Sequence, residues 1–526
     1  MKKIIFLIIA SLLVIGLVLP GCEGEGEPEP DTTITIAVTG PFSDLQGQNH
    51  WDGAQIAAEE INDAGGVDVG GTVYDVEVIQ VETEESTEGE DGSTGTTNIN
   101  AVIDDVDFFV GGFRTEVVSV YRDAAIDAGV LFMNCGAATG ALQFSVVTDY
   151  ETYKYWFKAT PYNETFLVKS CLRMTATVGG TLAGTLAYIE GSVDPAYVQE
   201  AYKMSNAVGG LPRVELLMED AAWCAGMVPA AQYYLPGLGF NVTGTTLVSP
   251  TATDINTELS AIAARNPHII FTAFSGSVGA VYSIAKNTLG IPAMSIGINV
   301  PAQQISHWAN TGGTCKGEVL LDTWADGLNI TPLTHDFFED FMTRTGRYPV
   351  YTAGTYDAIK IVCEAIDETD SVDSDDLVDW LEDPANANEE SVASPKVAFY
   401  QMPAVTVTPG ELYGLNQSQV EVWYDLDSYG WAWDQNEWLC GFASGVQQPH
   451  IAHDLVYGPG LTTGIGAQWQ EIASAGKKVG IWPMVLGAPS IDQYGDWNFQ
   501  YEGTQPLYLP IGSGEPTGGM LHIPWP

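Results

Sequence analysis

Apolar positions along this chain follow two rhythms that alternate in order. Short continuous runs read as buried strands, and stretches apolar at i, i+3, i+4 and i+7 read as helices with one covered face. Thr33 to Thr39 is the first run, and a Gly-Pro-Phe-Ser loop follows it. A helix is predicted from about Asn49 to Asn62, apolar at Trp51, Ala54, Ala58 and Ile61; Gly65-Gly66 ends it before a strand at Asp75 to Val81. Strand, helix and strand joined by short turns predict a right-handed crossover and a parallel sheet. The next unit repeats the pattern with more informative loops. Phe108 to Val110 leads into Gly111-Gly112, a Thr115-bearing turn, and a helix apolar at Val117, Val120, Tyr121, Ala124 and Ala128 that Gly129 stops. Val130 to Met133 then runs into the small-residue loop Gly136-Ala137-Ala138-Thr139-Gly140. In an open parallel sheet small molecules bind beyond the carboxyl ends of the strands, and two such ends meet in this stretch.

A helix is expected at Thr165 to Ala176, and the pattern weakens from Gly179 to Gly210 as in an insertion. A second alternating block then begins. Strands are predicted at Val214 to Met218, Phe240 to Leu247, His268 to Phe274 and Met294 to Ile298, with helices at Gly226 to Leu235, Asp254 to Ala264 and Val278 to Thr288. Two alternating blocks imply two similar lobes facing each other. Helices at Asp336 to Thr345, Ala353 to Thr369 and Ser374 to Glu382 complete the regular part. From Ala385 the helical signal disappears, and eight of the 14 tryptophans fall in residues 423–525, in short aromatic strands between Gly/Pro/Asp turns.

Composition changes the picture in three places. With 19 Lys+Arg against 67 Asp+Glu the net charge is -48, which argues against nucleic acid or anionic lipid headgroups as partners. Residues 1–22 read as a processing signal: Lys2 and Lys3, an apolar run from Ile4 to Leu19, then Leu19-Pro20-Gly21-Cys22. That ending resembles a bacterial lipoprotein box, which implies lipidation of Cys22; an uncleaved membrane anchor is the alternative, and both place the body outside the cytoplasm. Residues 23–31 form an extended Pro/Glu linker, reaching about 28 Å. The six later cysteines, Cys135, Cys171, Cys224, Cys315, Cys363 and Cys440, show no CxxC spacing, so neither a zinc site nor a disulfide framework is indicated.

Other candidate chemistry is thin. Six acids crowd Glu82 to Asp91, a pattern that fits a solvated loop better than a cation site. Ser283 and Lys286 match SxxK inside an amphipathic helix but without its partner motifs. His450, His453 and Asp454 lack a fourth metal ligand, and Asp425 to Gly430 opens like a calcium loop but has Asn436 where the bidentate Glu belongs. Neither a metal nor a cofactor is expected. A hairpin from Val420 to Tyr424 and back through Trp431 to Trp438 is the plainer account of the latter stretch, and an exposed sugar-binding platform is its alternative.

Three stretches carry a resemblance: ITIAVTGPFSDLQGQNHWDGAQIAAEEINDAGG, GGFRTEVVSVYRDAAIDAGVLFMNCGAATGAL and IIFTAFSGSVGAVYSIAKNTLGIPAMSIGIN. Together they resemble the branched-chain-amino-acid-type solute-binding proteins of ABC transporters, over roughly residues 32–382. The resemblance implies an α/β type I periplasmic binding fold of two Rossmann-like lobes with parallel sheets, plus an aromatic-rich β/loop extension. It implies an N-terminal lobe from 32–160 and 325–384, a C-terminal lobe from 161–324 and 446–486, and an aromatic-rich insertion and tail at 385–445 and 487–526. His450 to Asp454 resembles the start of the family's closing strand pair, continuing through Gln468-Trp469 to Gly480-Ile481-Trp482-Pro483.

Residue by residue, Thr115 falls where the family holds a ligand carboxylate, and an N-cap is its plain alternative. Ala137, Ala138 and Thr139 match the family's Ala-Ala-Thr binding loop. Ser43 and Trp51 fall where the family contacts the ligand side chain, although Trp51 also belongs to the apolar face of its helix. On the second lobe Trp223 aligns with a closing aromatic, Ser275 replaces another aromatic, and Asn299 stands where many relatives have an acid for the ligand's ammonium. A neutral Asn forms no ion pair, and charge-assisted bonds are about twice as strong as neutral ones. Arg114 is placed to meet a second negative group or to pair with Glu116 or another acid. The implied function is capture of a small amino acid, amide or organic acid by hinge closure at the outer face of the cytoplasmic membrane, for an ABC permease and its ATPase. A ligand-sensing surface receptor and a cell-surface hydrolase are the alternatives.

Overall fold

The structure is a computed structural model that describes residues 32–85, 91–160, 164–175, 212–237, 239–291, 293–383, 386, 391–394, 397, 399, 453–455 and 464–482. Cys22, the 420–438 hairpin, Cys440 and His450 lie outside the described residues.

The first sheet takes strands β1 (Thr33–Gly40), β2 (Val67–Val69), β3 (Thr72–Glu82), β4 (Phe108–Gly111), β5 (Leu131–Asn134) and β6 (Trp156–Lys158) in the order β2-β3-β1-β4-β5-β6. All pairs are parallel except the β2-β3 hairpin. Its central strands are buried on both faces: Ile34, Ile36 and Val38 enter one apolar cluster, while the intervening Ala37 joins Phe109, Phe132 and Trp156 in another. This is why they read as continuous apolar runs rather than alternating ones.

The second sheet holds β7 (Arg213–Glu219), β8 (Asn241–Val248), β9 (Ile269–Phe274), β10 (Met294–Asn299), β11 (Val319–Asp322), β12 (Ile465–Ile472) and β13 (Ala475–Trp482), in the order β13-β12-β11-β10-β9-β7-β8. The last two strands are antiparallel additions to a parallel core. Here too the faces separate, with Val214, Leu216 and Met218 in one cluster and Leu217 in the other.

The helices are α1 (Leu45–Ala64), α2 (Ser93–Val102), α3 (Thr115–Asp127), α4 (Ala141–Thr148), α5 (Tyr150–Tyr153), α6 (Glu164–Met174), α7 (Met227–Gly237), α8 (Asn256–Ala264), α9 (Val278–Thr288), α10 (Ser306–Asn310), α11 (Thr334–Thr345), α12 (Thr355–Thr369) and α13 (Ser374–Glu382). After the second block the chain returns to the first sheet, where α12 packs on α1 and β2, and α13 on β5. Among the described residues no helix is long and apolar enough to cross a membrane.

Several local expectations change. Residues after the acidic run form the helix α2, whose buried positions are only Gly95 and Ile99. Thr96, Thr97 and Asn100 bond back to carbonyls four residues earlier, so this helix carries almost no apolar stripe to read. In α3 the covered face is Val117, Val118, Tyr121 and Ala125, and Val120 is 46% exposed. His453 and Asp454 do not open the closing strand pair, which begins at Ile465. They dock at the free edge of the first sheet, where the Lys158 amide donates to the His453 carbonyl at 2.9 Å and the imidazole stacks on Phe157 at 3.9 Å.

Candidate functional site

The carboxyl ends of both sheets open on one cavity of about 610 Å³. Loops after β1, β4, β5 and β6 form one side, with Leu45, Thr115, Ala138 and Thr160 on the lining. Loops after β7, β9, β10 and β11 form the other, with Trp223, Ser275, Val300 and Thr323. This is where a parallel α/β sheet receives ligands.

On the first side, Gly111 takes φ +121°, and a Cβ there would meet the Thr39 carbonyl oxygen at 2.1 Å. Only glycine allows the chain to turn so close to β1. The loop it starts is held by Glu85, which is fully buried although it belongs to the acidic run. Its carboxylate accepts the Phe113 amide at 3.0 Å, the Arg114 amide at 2.5 Å, the Thr83 hydroxyl at 2.7 Å and the Tyr121 hydroxyl at 2.8 Å. Burial raises the Glu85 pKa, and these bonds oppose the rise. Two loop amides are therefore already taken by an internal anion. Those of Thr115 and Glu116 open α3 and have no acceptor within the helix. Thr115 lines the cavity beside Arg114, the one Lys or Arg among its described lining residues.

The neighbouring loop is braced from beneath. Asn134 donates to the Ala137 carbonyl at 2.8 Å and accepts its amide at 3.1 Å, and Glu164 accepts the Gly140 amide at 2.5 Å. The buried Lys158 ammonium reaches the Thr139 carbonyl at 3.3 Å. Ala138 lines the cavity, whereas Ala137 and Thr139 do not. The Thr139 hydroxyl is buried and has no hydrogen-bond partner among the described residues.

The second side repeats the Glu85 arrangement. Glu219, the last residue of β7, is fully buried. It accepts the Trp223 indole N–H at 2.7 Å, the Ser275 amide at 2.9 Å, the Gly276 amide at 3.0 Å and, more closely, the Ser275 hydroxyl. A carboxylate has about four lone-pair sites, so each of these two glutamates is saturated. In both lobes one carboxylate fixes two consecutive loop amides, a hydroxyl and an aromatic donor. Neither residue was singled out from sequence; the available signal for Glu219 was an acid at the carboxyl end of a buried strand.

Three further expected positions, besides Ala137 and Thr139, do not line the cavity. Asn299 is fully buried and donates to Glu318 at 2.6 Å and to the Gly279 carbonyl at 3.2 Å. Its neighbour Ile298 lines the cavity instead, as alternation along a strand requires. Ser43 is exposed, with its hydroxyl 3.5 Å from Asp44. Trp51 packs edge-on to Phe42 at 6.4 Å, against the core. The SxxK serine is also away from the cavity: Ser283 is buried and donates to Glu318 at 2.8 Å. Cys135, Cys171, Cys224, Cys315 and Cys363 are buried free thiols.

Two α/β lobes that present strand ends to a shared cavity define a two-lobed ligand-binding protein of the type I periplasmic binding class. The chain belongs to the periplasmic binding protein family, whose sequence pattern matches residues 34–397, well over half its length. No functionally curated protein matches it in sequence. Solved structures share the fold at low identity. A leucine-binding protein from Thermotoga maritima is 16% identical, with a TM-score of 0.54 over 70% of this chain and 91% of its own. A branched-chain amino acid transporter substrate-binding protein from Streptococcus pneumoniae, solved with isoleucine, is 15% identical, with a TM-score of 0.53 over 70% and 92%. A solute-binding protein of an ABC transporter from Rhodopseudomonas palustris, solved with 3,4-dihydroxybenzoic acid, is 14% identical, with a TM-score of 0.56 over 86% and 96%.

Proposed function

We propose that this chain captures a small amino acid, amide or related carboxylate outside the cytoplasm and delivers it to the permease and ATPase of an ABC importer. The observation that carries this reading is the cavity between the two sets of strand ends, with the start of α3 on its wall. First-turn amides and the helix dipole favour a negative group there. Thr115 supplies a hydroxyl, Arg114 a cation, and Ala138 a closely packed loop; Trp223 and Ser275 face them from the other sheet. The streptococcal and Rhodopseudomonas relatives in fold were solved with isoleucine and a dihydroxybenzoic acid, both carboxylic acids. Hinge closure over the ligand selects the conformation that a permease reads. A lipid on Cys22 and the 23–31 linker hold the body at the membrane surface.

The test is native mass spectrometry of freshly purified protein, followed by thermal shift with amino acids, amides and organic acids. A ligand at roughly 100 times its Kd adds about 2.7 kcal/mol to stability. Thr115→Val removes one hydrogen bond, about 1 kcal/mol, and weakens the best ligand about fivefold. If no compound in these classes shifts the melting temperature at millimolar dose, the reading fails.

A further inference from the structure

Part of the cavity wall comes from beyond the regular two-lobed body. Ala393, Ser394, Val397 and Leu455 all line the cavity, and Leu455 lies past the end of the family match. This wall is built into the first lobe rather than laid over it. Asp357 accepts the Ser391 hydroxyl at 2.5 Å and the Val392 amide at 2.9 Å. Thr331 and Thr334 donate to the Ser391 and Val392 carbonyls at 2.8 and 2.7 Å. Phe399 and Leu455 form an antiparallel bridge, and Phe399 packs edge-on to Phe157 at 5.3 Å. Val397 and Leu455 are 5% and 3% exposed, so they are fixed apolar surface.

The strand order gives this wall a position. The Thr115 loop follows β4, the Ala138 loop β5 and Ala159 β6, and the 453–455 segment pairs outside β6 through the Lys158 to His453 bond. Three steps of about 4.8 Å separate β4 from that segment, roughly 14 Å. Van der Waals contact of about 3.5 Å at each end leaves roughly 7 Å for a ligand body. Ala159 and Leu167 continue the apolar lining between the two ends.

Resting on the carboxylate-capture reading above, we propose that Ala393, Val397 and Leu455 form a length-selecting wall. Its ligand class is the carboxylates with an apolar body of aromatic or medium-chain size, head at Thr115 and tail against Leu455. The wall adds apolar contact as the body grows and then ends the series sterically.

The experiment is calorimetric titration of the full chain with two series: plain carboxylates from acetate to decanoate, and amino acids from alanine to phenylalanine. Wild type is expected to bind plain carboxylates more tightly with length up to hexanoate and then lose affinity, and to bind amino acids more tightly up to phenylalanine. Ala393→Leu, at a half-buried site, and Val397→Phe are expected to move the cut-off to shorter bodies, lowering the long-to-short affinity ratio at least tenfold. Leu455→Ala is expected to move it the other way. Circular dichroism confirms that each variant is folded, and Ala393→Leu alone decides the matter where the buried substitutions do not fold. If a series binds wild type and Ala393→Leu leaves its length dependence unchanged, the wall is overturned while carboxylate capture stands. If neither series binds, the wall falls together with carboxylate capture, and the thermal-shift panel with amides decides what is left of the proposed function.

Discussion

The Trp223 indole N–H donates to Glu219 Oε1 at 2.7 Å, tying an aromatic ring on the cavity wall to the end of a buried strand. The same carboxylate holds Ser275 and Gly276, so one side chain sets the geometry of two cavity loops. Bonds to a charged group contribute about 1.5–3 kcal/mol each. Glu219→Ala leaves buried donors without an acceptor and is expected to destabilise the protein by about 3 kcal/mol or more. Trp223→Phe keeps an aromatic ring, though a smaller one, removes one bond and is expected to cost about half as much. Urea midpoints compare the two; equal effects would mean that Glu219 braces the ring alone.

Gly279 is the approach point for Asn299. A Cβ on Gly279 would lie 2.0 Å from Asn299 Oδ1, an overlap that displaces the buried Asn299 amide from its bonds to Glu318 and the Gly279 carbonyl. Gly279→Ala is expected to destabilise by about 1–3 kcal/mol, as overpacking does. Adding Asn299→Ala to that variant relieves the overlap, so the double variant is expected to be more stable than the sum of the singles by at least 0.5 kcal/mol, roughly the threshold of real coupling. Additive effects in denaturant midpoints would refute the steric account.

Lys478 and Asp322 form an ion pair with both side chains fully buried, and Asp322 lines the cavity. Burial raises the Asp322 pKa and lowers that of Lys478, with their mutual attraction opposing both shifts. Lys478→Met strands a buried carboxylate, and removing one partner of such a pair typically costs about 3–5 kcal/mol. Replacing both, as Lys478→Met with Asp322→Leu, is expected to recover most of that loss. Calorimetric melting of the three variants provides the measurement.

His50 sets a pH dependence whose sign follows from burial. It is fully buried, and desolvation lowers its pKa to about 4 from 6.5, with the Thr352 and Gly112 carbonyls offsetting part of the shift. Between those pH values the unfolded chain holds more protons than the folded one, so stability falls as pH drops through the window and levels off below it. The whole window amounts to about 3 kcal/mol. Asp357, raised to about 6 by burial, works in the opposite direction: its contribution grows as pH falls from that value toward 3.8. The stability difference between wild type and His50→Gln is expected to shrink by about 3 kcal/mol from pH 7 to pH 4. A difference independent of pH would show that His50 binds its proton equally well in the folded and the unfolded chain.

The regular body is legible in the sequence because its central strands are covered on both faces, so Ile269 to Phe274 reads as one apolar run broken only by the buried Thr272. Strand ends followed by small or hydroxyl residues marked Thr115 and Ala138, and the family resemblance pointed to Ser275; all three line the cavity. What stayed hidden depends on partners distant in the chain. Glu85 sits in a run of acids, and besides its neighbour Thr83 its partners are Tyr121 and the Phe113 and Arg114 amides, distant in the chain. Asn299 is one residue from a lining position, and a one-residue step along a strand reverses the side. Val397 and Leu455 have no periodic context, and their burial comes from joining the apolar cluster of the first lobe rather than from a face of their own.

The docking of His453 on β6 bears on how copies of the protein behave toward one another. β6 ends the first sheet, and an uncovered end strand is a template for pairing with another chain. The His453 carbonyl takes the Lys158 N–H, while its ring meets the Trp156 carbonyl at 3.1 Å and, through the other nitrogen, Glu382 at 2.5 Å. A side chain and a main-chain oxygen thus answer the two backbone groups that a stray strand would seek first. The segment beside the cavity therefore also guards the sheet against self-association, and a chain lacking it would be expected to lose solubility in spite of its net charge of -48.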